Sequence, residues 1–125
     1  MLIPVFMQVS GQVMSGMGEG SMYVNKYLPY FESVLGFTCF PGTLNLSLKQ
    51  KLDLNGAKKF TIEPYDQNLG KVDCYLVRIH DEYDGAIVIP HKTRHGDTVI
   101  ELIASVDLRG SLQLKDGDTL ICELV

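Results

Sequence analysis

The sequence predicts a mainly β protein whose short strands close into a small barrel, accompanied by one or two short helices. About eight short segments are apolar or alternate apolar with polar residues, and turn-forming residues separate them, as is typical of barrels and sandwiches. Only one segment has a clear helical period. A barrel is favoured because it leaves no open strand edges and can gather several loops around one mouth.

The N-terminal part combines two predicted strands with a glycine-rich loop. Residues 5–14 alternate enough for a first strand, in which Gly11 is interpreted as a bulge. A loop with three glycines follows at residues 15–20, and residues 21–25 are predicted to form a second strand.

One short helix is predicted after this second strand. Pro29 suits its first turn, where no backbone N–H is needed, and Gly36 suits its C-terminal end, where glycine readily adopts a left-handed conformation. The residues that carry the 3.6-residue apolar period are Tyr27, Leu28, Phe31, Val34 and Leu35.

The remaining chain is predicted to consist of strands joined by turns, with one helical turn. Turns are expected at residues 67–70, 81–85 and 115–118, which are rich in Gly, Asn and Asp. A helical turn is expected at residues 107–112. The predicted strands are 43–48, 59–63, 72–80, 86–89, 99–104 and 119–124.

Length and charge indicate a single domain that does not bind nucleic acid. A chain of 125 residues is long enough to bury a core. The formal charge of -4, from 11 Lys+Arg against 15 Asp+Glu, argues against a nucleic-acid partner, because the phosphate backbone attracts basic surfaces. A small anionic ligand remains compatible with this charge, since backbone dipoles and a metal ion can attract it.

The cysteines and the N-terminus predict a cytoplasmic protein with no membrane span. Cys39, Cys74 and Cys122 are widely spaced in apolar stretches, which favours buried reduced thiols over zinc ligands. The apolar start lacks the basic flank of a signal peptide and is soon interrupted by polar residues.

Thr43 and Asn45 are the first candidate site residues. They are two apart in a predicted strand whose positions 44, 46 and 48 are leucines, so the leucines face the core and the two polar side chains share the opposite face. Two neutral hard oxygens suit Mg²⁺, which completes its coordination with waters and substrate phosphates. The alternative is an ordinary solvent-exposed strand face, although asparagine is depleted in strands.

The loop at residues 15–20 is the second candidate. Glycines let the backbone approach a bulky anion closely and present N–H groups to it. Taken alone, the loop could be a flexible hairpin; next to Thr43 and Asn45, phosphate contact is favoured, and the two features indicate phosphoryl transfer. Glu19 could face ligand hydroxyls or metal-bound water, or it could point to solvent.

Seven motifs along the chain, in this order and spacing, resemble the archaeal CTP-dependent riboflavin kinases. The resemblance extends from about Val9 to Leu124. The motifs occupy residues 15–20, 35–37 with 41–45, 84–90, 93–95, 101–104, 108–109 and 114–118.

The resemblance implies a six-stranded cradle-loop β-barrel that transfers the γ-phosphoryl group of CTP to the 5′-hydroxyl of riboflavin, giving FMN and CDP. It implies a magnesium ion on Thr43 and Asn45, and flavin contacts from Thr93 and Glu101. We expect a monomeric, single-domain chain without the N-terminal helix-turn-helix domain of some members. The residues implied for CTP are Met17, Gly18, Glu19, Gly20, Ser21, Met22, Val106, Asp107, Leu108 and Arg109.

Glu101 is the candidate catalytic residue. A carboxylate within an apolar strand is costly if it is buried and unpaired, so Glu101 either occupies an exposed edge or meets a partner. In phosphoryl transfer a carboxylate can orient the attacking hydroxyl. We therefore expect Glu101 to contact riboflavin and to serve as the base.

Other polar residues have two interpretations each. Arg109 could be an ordinary exposed helix residue or could bind phosphate through its planar guanidinium. His95 could hold a backbone carbonyl or take part in catalysis. The turn at residues 115–118 is interpreted as structural.

The aromatic residues are assigned mainly to the core, and two other functions remain as alternatives. The aromatic side chains at positions 23, 27, 30, 31 and 37 are expected mainly in the core, although one could cover a flavin. The first rival is a swapped-hairpin DNA-binding regulator, against which the acidic charge counts. The second is a flavin-binding barrel without catalytic activity.

Overall fold

The computed structural model describes residues 8–15, 20–54, 56–66, 68–91 and 98–125, which form seven strands and two helices. In chain order these are β1 (Gln8–Met14), α1 (Gly20–Leu35), β2 (Leu44–Ser47), β3 (Lys59–Ile62), β4 (Val72–Ile79), β5 (Tyr83–Pro90), β6 (Val99–Ala104), α2 (Leu108–Leu112) and β7 (Thr119–Leu124).

Six of the strands close into an antiparallel barrel, which confirms the predicted fold class. The order is β4-β5-β6-β2-β1-β7, and β7 pairs back onto β4 through Val77, Arg78 and Ile79. The preceding half of the same β4 edge, from Val72 to Tyr75, pairs instead with β3. β3 is therefore an extension of the sheet outside the closed ring.

The barrel interior is filled by alternate residues of every barrel strand. Val9 and Val13 of β1, for example, are buried, whereas their neighbours are exposed. This period-2 pattern is what a strand with one buried face requires. The buried interior consists of Val9, Val13, Leu44, Leu46, Leu48, Val77, Ile79, Ile87, Ile100, Leu102, Ala104, Leu108, Leu120, Cys122 and Leu124.

A second core lies on the outer wall, where α1 covers β3, β4, β5 and part of β6. Val24, Tyr27, Phe31 and Leu35 form the buried stripe of α1. They pack against outward-facing strand residues, namely Ile62, Val72, Cys74, Ala86, Val88 and Ile103. The helix thus makes one half of the outer wall apolar and leaves the β1–β2–β6 half to polar residues.

The predicted strand at residues 21–25 is wrong, because α1 already begins at Gly20. The local alternation there is overridden by the stripe that starts at Val24 and continues with helical spacing to Leu35. Pro29 consequently lies inside the helix instead of in its first turn. Gly36 does end the helix, with a left-handed φ of 83°.

Two smaller predictions concern Gly11 and the cysteines. The β1–β7 register runs without interruption past Gly11, so no bulge occurs there. All three cysteines are free and buried, as predicted, and burial raises the pKa of Cys39 to about 11 and the pKa values of Cys74 and Cys122 to about 12. Such thiols stay protonated at neutral pH and are poor nucleophiles.

Candidate active site

One residue predicted for the metal, Asn45, and one predicted for the flavin, Glu101, lie side by side on the outer wall of the barrel. Asn45 in β2 is the register partner of Glu101 in β6 and, on its other side, of Met14 at the end of β1. Residues directly opposite in antiparallel strands share a face, with Cβ atoms about 4.5–5.5 Å apart. The register therefore brings an amide and a carboxylate together across two neighbouring strands.

Glu101 occupies the middle of a central strand, so the interpretation as an exposed edge residue is wrong. β6 pairs with β2 on one side and with β5 on the other, where Glu101 is the partner of Val88. Val88 belongs to the outer core beneath α1, whereas Asn45 is only partly buried. Glu101, itself partly buried, thus marks the boundary between the apolar and polar halves of the wall.

Thr43 immediately precedes β2 and lines a pocket together with residues 106–109. The segment follows β6 directly and leads into α2. Thr43, a predicted metal ligand, therefore lines the same pocket as residues 106–109, which are predicted to bind the nucleotide. The other lining residues are Phe40, Gly42, Leu44, Leu102 and Ala104.

Phe40 is a pocket residue that the sequence did not single out. Its ring is 41% exposed, although the residue is anchored by a hydrogen bond of 2.8 Å from its backbone N–H to the carbonyl of Ala104. Gly42 lies against the ring and its N–H donates to the Phe40 carbonyl. The Pro-Gly dipeptide after Phe40 predicts a tight turn, but it does not predict that the turn folds back onto the end of β6.

Arg109 is held in place by groups from two other parts of the chain. Its Nη2 atom donates to Asp116 Oδ1 at 2.7 Å and to the Met14 carbonyl at 3.3 Å. Ser15 donates its hydroxyl to the other carboxylate oxygen of Asp116 at 2.5 Å. Asp116 therefore links the end of β1 to α2.

The turn at residues 115–118 has the structural role that the sequence predicts. Gly117 has a left-handed φ of 93°, and Asp118 accepts a hydrogen bond from the Lys115 backbone N–H. Hydrogen bonds from Ser15 and Arg109 hold the pKa of the Asp116 carboxyl below its usual value. Asp116 thus makes contacts beyond the turn, and its sequence pattern did not reveal them.

The glycine-rich loop leads directly into a helix N-terminus. The predicted contacts Met17, Gly18 and Glu19 lie outside the described residues, whereas Gly20, Ser21 and Met22 form the first turn of α1. The first backbone N–H groups of a helix have no partner within the helix and favour anions. Because residues 20–22 are helical, their backbone N–H groups are better placed to bind an anion than they would be in the predicted strand.

The predicted flavin contact Thr93 lies outside the described residues, as do Arg94 and His95. His91, the last described residue before them, is held by two hydrogen bonds. His91 donates from Nε2 to Asp73 at 3.1 Å, and its backbone N–H donates to the Lys71 carbonyl. Thr61 donates its hydroxyl to Asp73 at 2.8 Å.

Burial alone would raise the pKa of the Asp73 carboxyl. The hydrogen bonds from Thr61 and His91, with the nearby charges of His91 and Lys59, outweigh this effect and lower the pKa below its usual value. The ionised carboxylate thus joins β3 and β4 to the end of β5.

The side-chain oxygens of Thr43 and Asn45 suit a hard cation that takes its other ligands from water and substrate. Across the described ranges, no group of three or more His, Cys, Asp or Glu side chains could hold a metal ion. The predicted ligands contribute a hydroxyl and an amide oxygen, and Glu101 is the register partner of Asn45. Such a set matches Mg²⁺, which commonly takes few protein ligands and several oxygens from water and phosphate.

Most of the predicted aromatic residues are core residues. Tyr27 and Phe31 are buried in the outer core, and the Tyr27 hydroxyl donates to the Gly70 carbonyl at 2.7 Å. Tyr30 and Phe37 are partly buried and pack against the same cluster. The side chain of Tyr23 is outside the described part of the chain.

The fold and the site define the class of protein: a small closed β-barrel whose candidate ligand site lies on its outer wall, between the end of β1 and the end of β6. The family model named CTP-dep_RFKase, described as "Domain of unknown function DUF120", matches residues 13–124. This chain belongs to that family.

Curated archaeal relatives carry the name "Riboflavin kinase". The relatives from Pyrococcus abyssi and Thermococcus kodakarensis are 44% and 41% identical, each over 94% of this chain and 58% of their own length. A relative from Saccharolobus solfataricus is 35% identical over 94% of this chain and 73% of its own length. The chain thus spans a little over half the length of the first two relatives.

No helix among the described residues is long and apolar enough to cross a membrane.

Proposed function

We propose that this chain is a CTP-dependent riboflavin kinase, which transfers the γ-phosphoryl group of CTP to the 5′-hydroxyl of riboflavin and releases FMN and CDP. The observation that most supports this proposal is the strand register that sets Asn45 beside Glu101. A candidate nucleotide site lies at one end of these strands. Membership in the family and the names of the relatives support the same reaction.

The nucleotide end of the site lies where β1 ends and α2 begins. The backbone N–H groups at the start of α1 and the glycines before it would receive the phosphates. The guanidinium of Arg109, already oriented by Asp116, supplies positive charge beside them. Residues 106–109, which share a pocket with Thr43, would hold the nucleoside part of CTP.

The metal and flavin groups lie farther along the same strands. Thr43 and Asn45 would hold magnesium, which when bound neutralises charge on the β- and γ-phosphates. The segment 92–97 joins β5 to β6, and the Leu48 N–H donates to the carbonyl of Thr98 just after it. We propose that Thr93, in this segment, holds the flavin.

Glu101 stands between these two ends and would orient the riboflavin 5′-hydroxyl. The hydroxyl oxygen forms a bond to the γ-phosphorus while the bond from that phosphorus to the bridging oxygen of CTP breaks, and CDP leaves. We assign the hydroxyl proton to the Glu101 carboxylate. We also propose that the enzyme acts as a monomer.

The test is riboflavin phosphorylation in the presence of Mg²⁺, with CTP, UTP, ATP and GTP compared and FMN separated by chromatography. FMN formed mainly from CTP is the expected result. FMN formed mainly from ATP would keep the kinase and reject the proposed donor. Riboflavin binding without turnover with any donor would favour the non-catalytic barrel, and salt-dependent binding to duplex DNA would favour the regulator.

A second experiment tests the metal assignment. We expect the double substitution Thr43→Ala with Asn45→Ala to abolish Mg²⁺-dependent turnover, because both neutral oxygen ligands are lost, and to leave riboflavin binding largely intact. Turnover is measured across a Mg²⁺ titration, and riboflavin binding by quenching of its fluorescence. Ser47→Ala, on the same outer face of β2, is the matched control. Full Mg²⁺-dependent activity in the double variant would reject the assignment.

A further inference from the structure

The Asp116 carboxylate connects the two chain segments that the proposed function assigns to CTP. One oxygen accepts the Ser15 hydroxyl at 2.5 Å, immediately before residues 16–19, and the other accepts Arg109 Nη2 at 2.7 Å. Asp116 itself belongs to neither segment, since it lies in the turn that precedes β7.

The turn that carries Asp116 is fixed rigidly to the end of β1. The Gly117 N–H donates to the Val13 carbonyl at 2.7 Å, and the Val13 N–H donates to the Asp118 carbonyl at 2.8 Å. A carboxylate on such a turn has little freedom to drift from Ser15. Its position is therefore set by the barrel itself.

The backbone of Arg109 is fixed as well, so its side chain is the adjustable part. The Arg109 carbonyl accepts hydrogen bonds from the Gln113 N–H at the end of α2 and from the Leu114 N–H at 2.9 Å. A long arginine side chain still loses rotamer entropy when it is held in one orientation. The contacts with Asp116 and the Met14 carbonyl provide that orientation before any ligand arrives.

These contacts use one of the three guanidinium nitrogens of Arg109. Both hydrogen bonds that Arg109 makes within the described part of the chain come from Nη2. Nη1 and Nε belong to the same planar group and are the donors that a phosphate would meet. A guanidinium that is held by one nitrogen, while the other two make no hydrogen bond to the described residues, is preorganised for an anion.

We propose that Asp116 is a positioning residue for the phosphates of the nucleotide: it fixes the Arg109 guanidinium and, through Ser15, the start of the glycine-rich segment. This inference rests on the proposed function. The opposing effect is electrostatic, since a carboxylate near phosphates repels them and masks Arg109. Orientation outweighs this effect, because Asp116 is exposed and solvent and salt screen its charge.

The test compares substitutions of two aspartates in the same turn. Asp116→Ala removes the carboxylate that touches Ser15 and Arg109, whereas Asp118→Ala removes one that accepts only the Lys115 N–H among the described contacts. Both change the net charge equally and both weaken the turn. Asp116→Asn keeps the shape and one acceptor oxygen for Arg109, so it serves as the conservative variant and as a second variant if Asp116→Ala does not fold.

We expect Asp116→Ala to weaken binding of Mg²⁺-CTP by about tenfold, as the loss of one orienting charge-assisted hydrogen bond would do. CTP binding is measured by calorimetry, riboflavin binding by fluorescence quenching, and the two KM values from FMN formation. Only the CTP values should change, Asp116→Asn should retain part of the affinity, and Asp118→Ala should bind CTP like the wild type. In an Arg109→Ala background, Asp116→Ala should have a smaller effect, because only its contact with Ser15 remains to be lost.

The outcomes separate this inference from the proposed function. Wild-type protein that forms no FMN with any nucleotide would overturn both. If wild-type protein forms FMN from CTP but Asp116→Ala binds CTP as Asp118→Ala does, or more tightly, only the positioning role of Asp116 is overturned. Equal losses of CTP and riboflavin binding would likewise overturn it, because they would indicate a general structural effect.

Discussion

At the level of single residues, the proposed chemistry rests on one cross-strand pair. Asn45 and Glu101 are separated by 56 positions in the chain, yet they are register partners on the outer wall. Polar cross-strand neighbours of this kind influence each other strongly because their Cβ atoms are close. Replacing either one should therefore affect the site without removing an interior contact.

Glu101→Gln is expected to fold normally and to lose most of its turnover, by about 10²-fold or more, because the amide cannot accept the hydroxyl proton. Near-normal riboflavin binding is expected, since the amide oxygen still accepts a hydrogen bond. Glu123→Gln, on the outer face of β7, is the control for a partly buried strand glutamate. Initial rates of FMN formation decide the prediction, and near wild-type turnover would remove Glu101 from the mechanism.

At the level of elements, the hairpin between β4 and β5 contains local backbone strain. His80 and Asp81 have left-handed φ values of 55° and 53° in a turn closed by a hydrogen bond from the Glu82 N–H to the Ile79 carbonyl. Residues other than glycine and asparagine adopt this conformation at a cost. Pairing on both sides of the turn, including the Arg78–Asp84 ion pair of 2.8 Å, maintains it.

Replacing His80-Asp81 with Asn-Gly should raise the free energy of unfolding by about 0.5–1 kcal/mol, because Asn-Gly suits two successive left-handed positions. Urea unfolding of the two proteins measures the difference. A control that puts Asn-Gly at the exposed pair Lys49-Gln50, outside any hairpin, should not stabilise the protein. A lower unfolding midpoint for the hairpin variant would contradict the prediction.

The junction of β3, β4 and β5 predicts a pH-dependent contribution to stability. The folded-state pKa of Asp73 is lowered, so its contribution is present above the unfolded-state pKa of about 4 and is lost as the pH falls through the folded value. Asp73→Asn should therefore reduce the free energy of unfolding by about 1 kcal/mol at pH 6, and the difference from wild type should shrink as the pH falls below about 4.

Unfolding curves between pH 6 and pH 3 test this expectation. Glu63→Gln is the matched control, because its 3.3 Å ion pair with Lys71 is exposed on both sides and should contribute little. A difference between wild type and Asp73→Asn that stays constant over this range would show that ionisation of Asp73 is not responsible.

At the level of the whole molecule, closure of a barrel from only six strands forces backbones close together. A Cβ atom on Gly85 would lie 2.5 Å from Ile79 Cδ1 and 2.8 Å from the carbonyl oxygen of Ile103 in the next strand. On Gly11 a Cβ atom would lie 2.9 Å from Leu48 Cδ2, 3.0 Å from Leu46 Cβ and 3.1 Å from the Ser47 carbonyl oxygen. Glycine at such positions allows strands to cross and bend tightly.

We expect Gly85→Ala to destabilise the barrel by about 2 kcal/mol, because a strand carbonyl cannot move aside without breaking the ladder. Gly11→Ala should cost less, since its Cβ atom would lie 3.1 Å from the nearest backbone carbonyl oxygen, against 2.8 Å for Gly85. Urea denaturation of both variants gives the comparison. Equal stability of Gly85→Ala and wild type, or a larger loss for Gly11→Ala, would contradict this account of closure.

The sequence alone determined the fold class and most strands, and it predicted the candidate site residues. Alternating leucines at positions 44 and 46 put Asn45 on the outer face of β2, because side-chain direction in a strand is a local property. The turn at residues 115–118 and the end of α1 at Gly36 were equally local, since each depends on one glycine with a positive φ.

Only the tertiary structure decided how these parts meet. The alternation in residues 21–25 favours a strand locally, but packing of Val24, Tyr27 and Phe31 on the barrel makes the segment helical. The partnership of Asn45 with Glu101 and the links of Asp116 to Ser15 and Arg109 join residues far apart in the chain. Strand register and loop contacts fix such pairs, and neither is encoded in a short stretch of sequence.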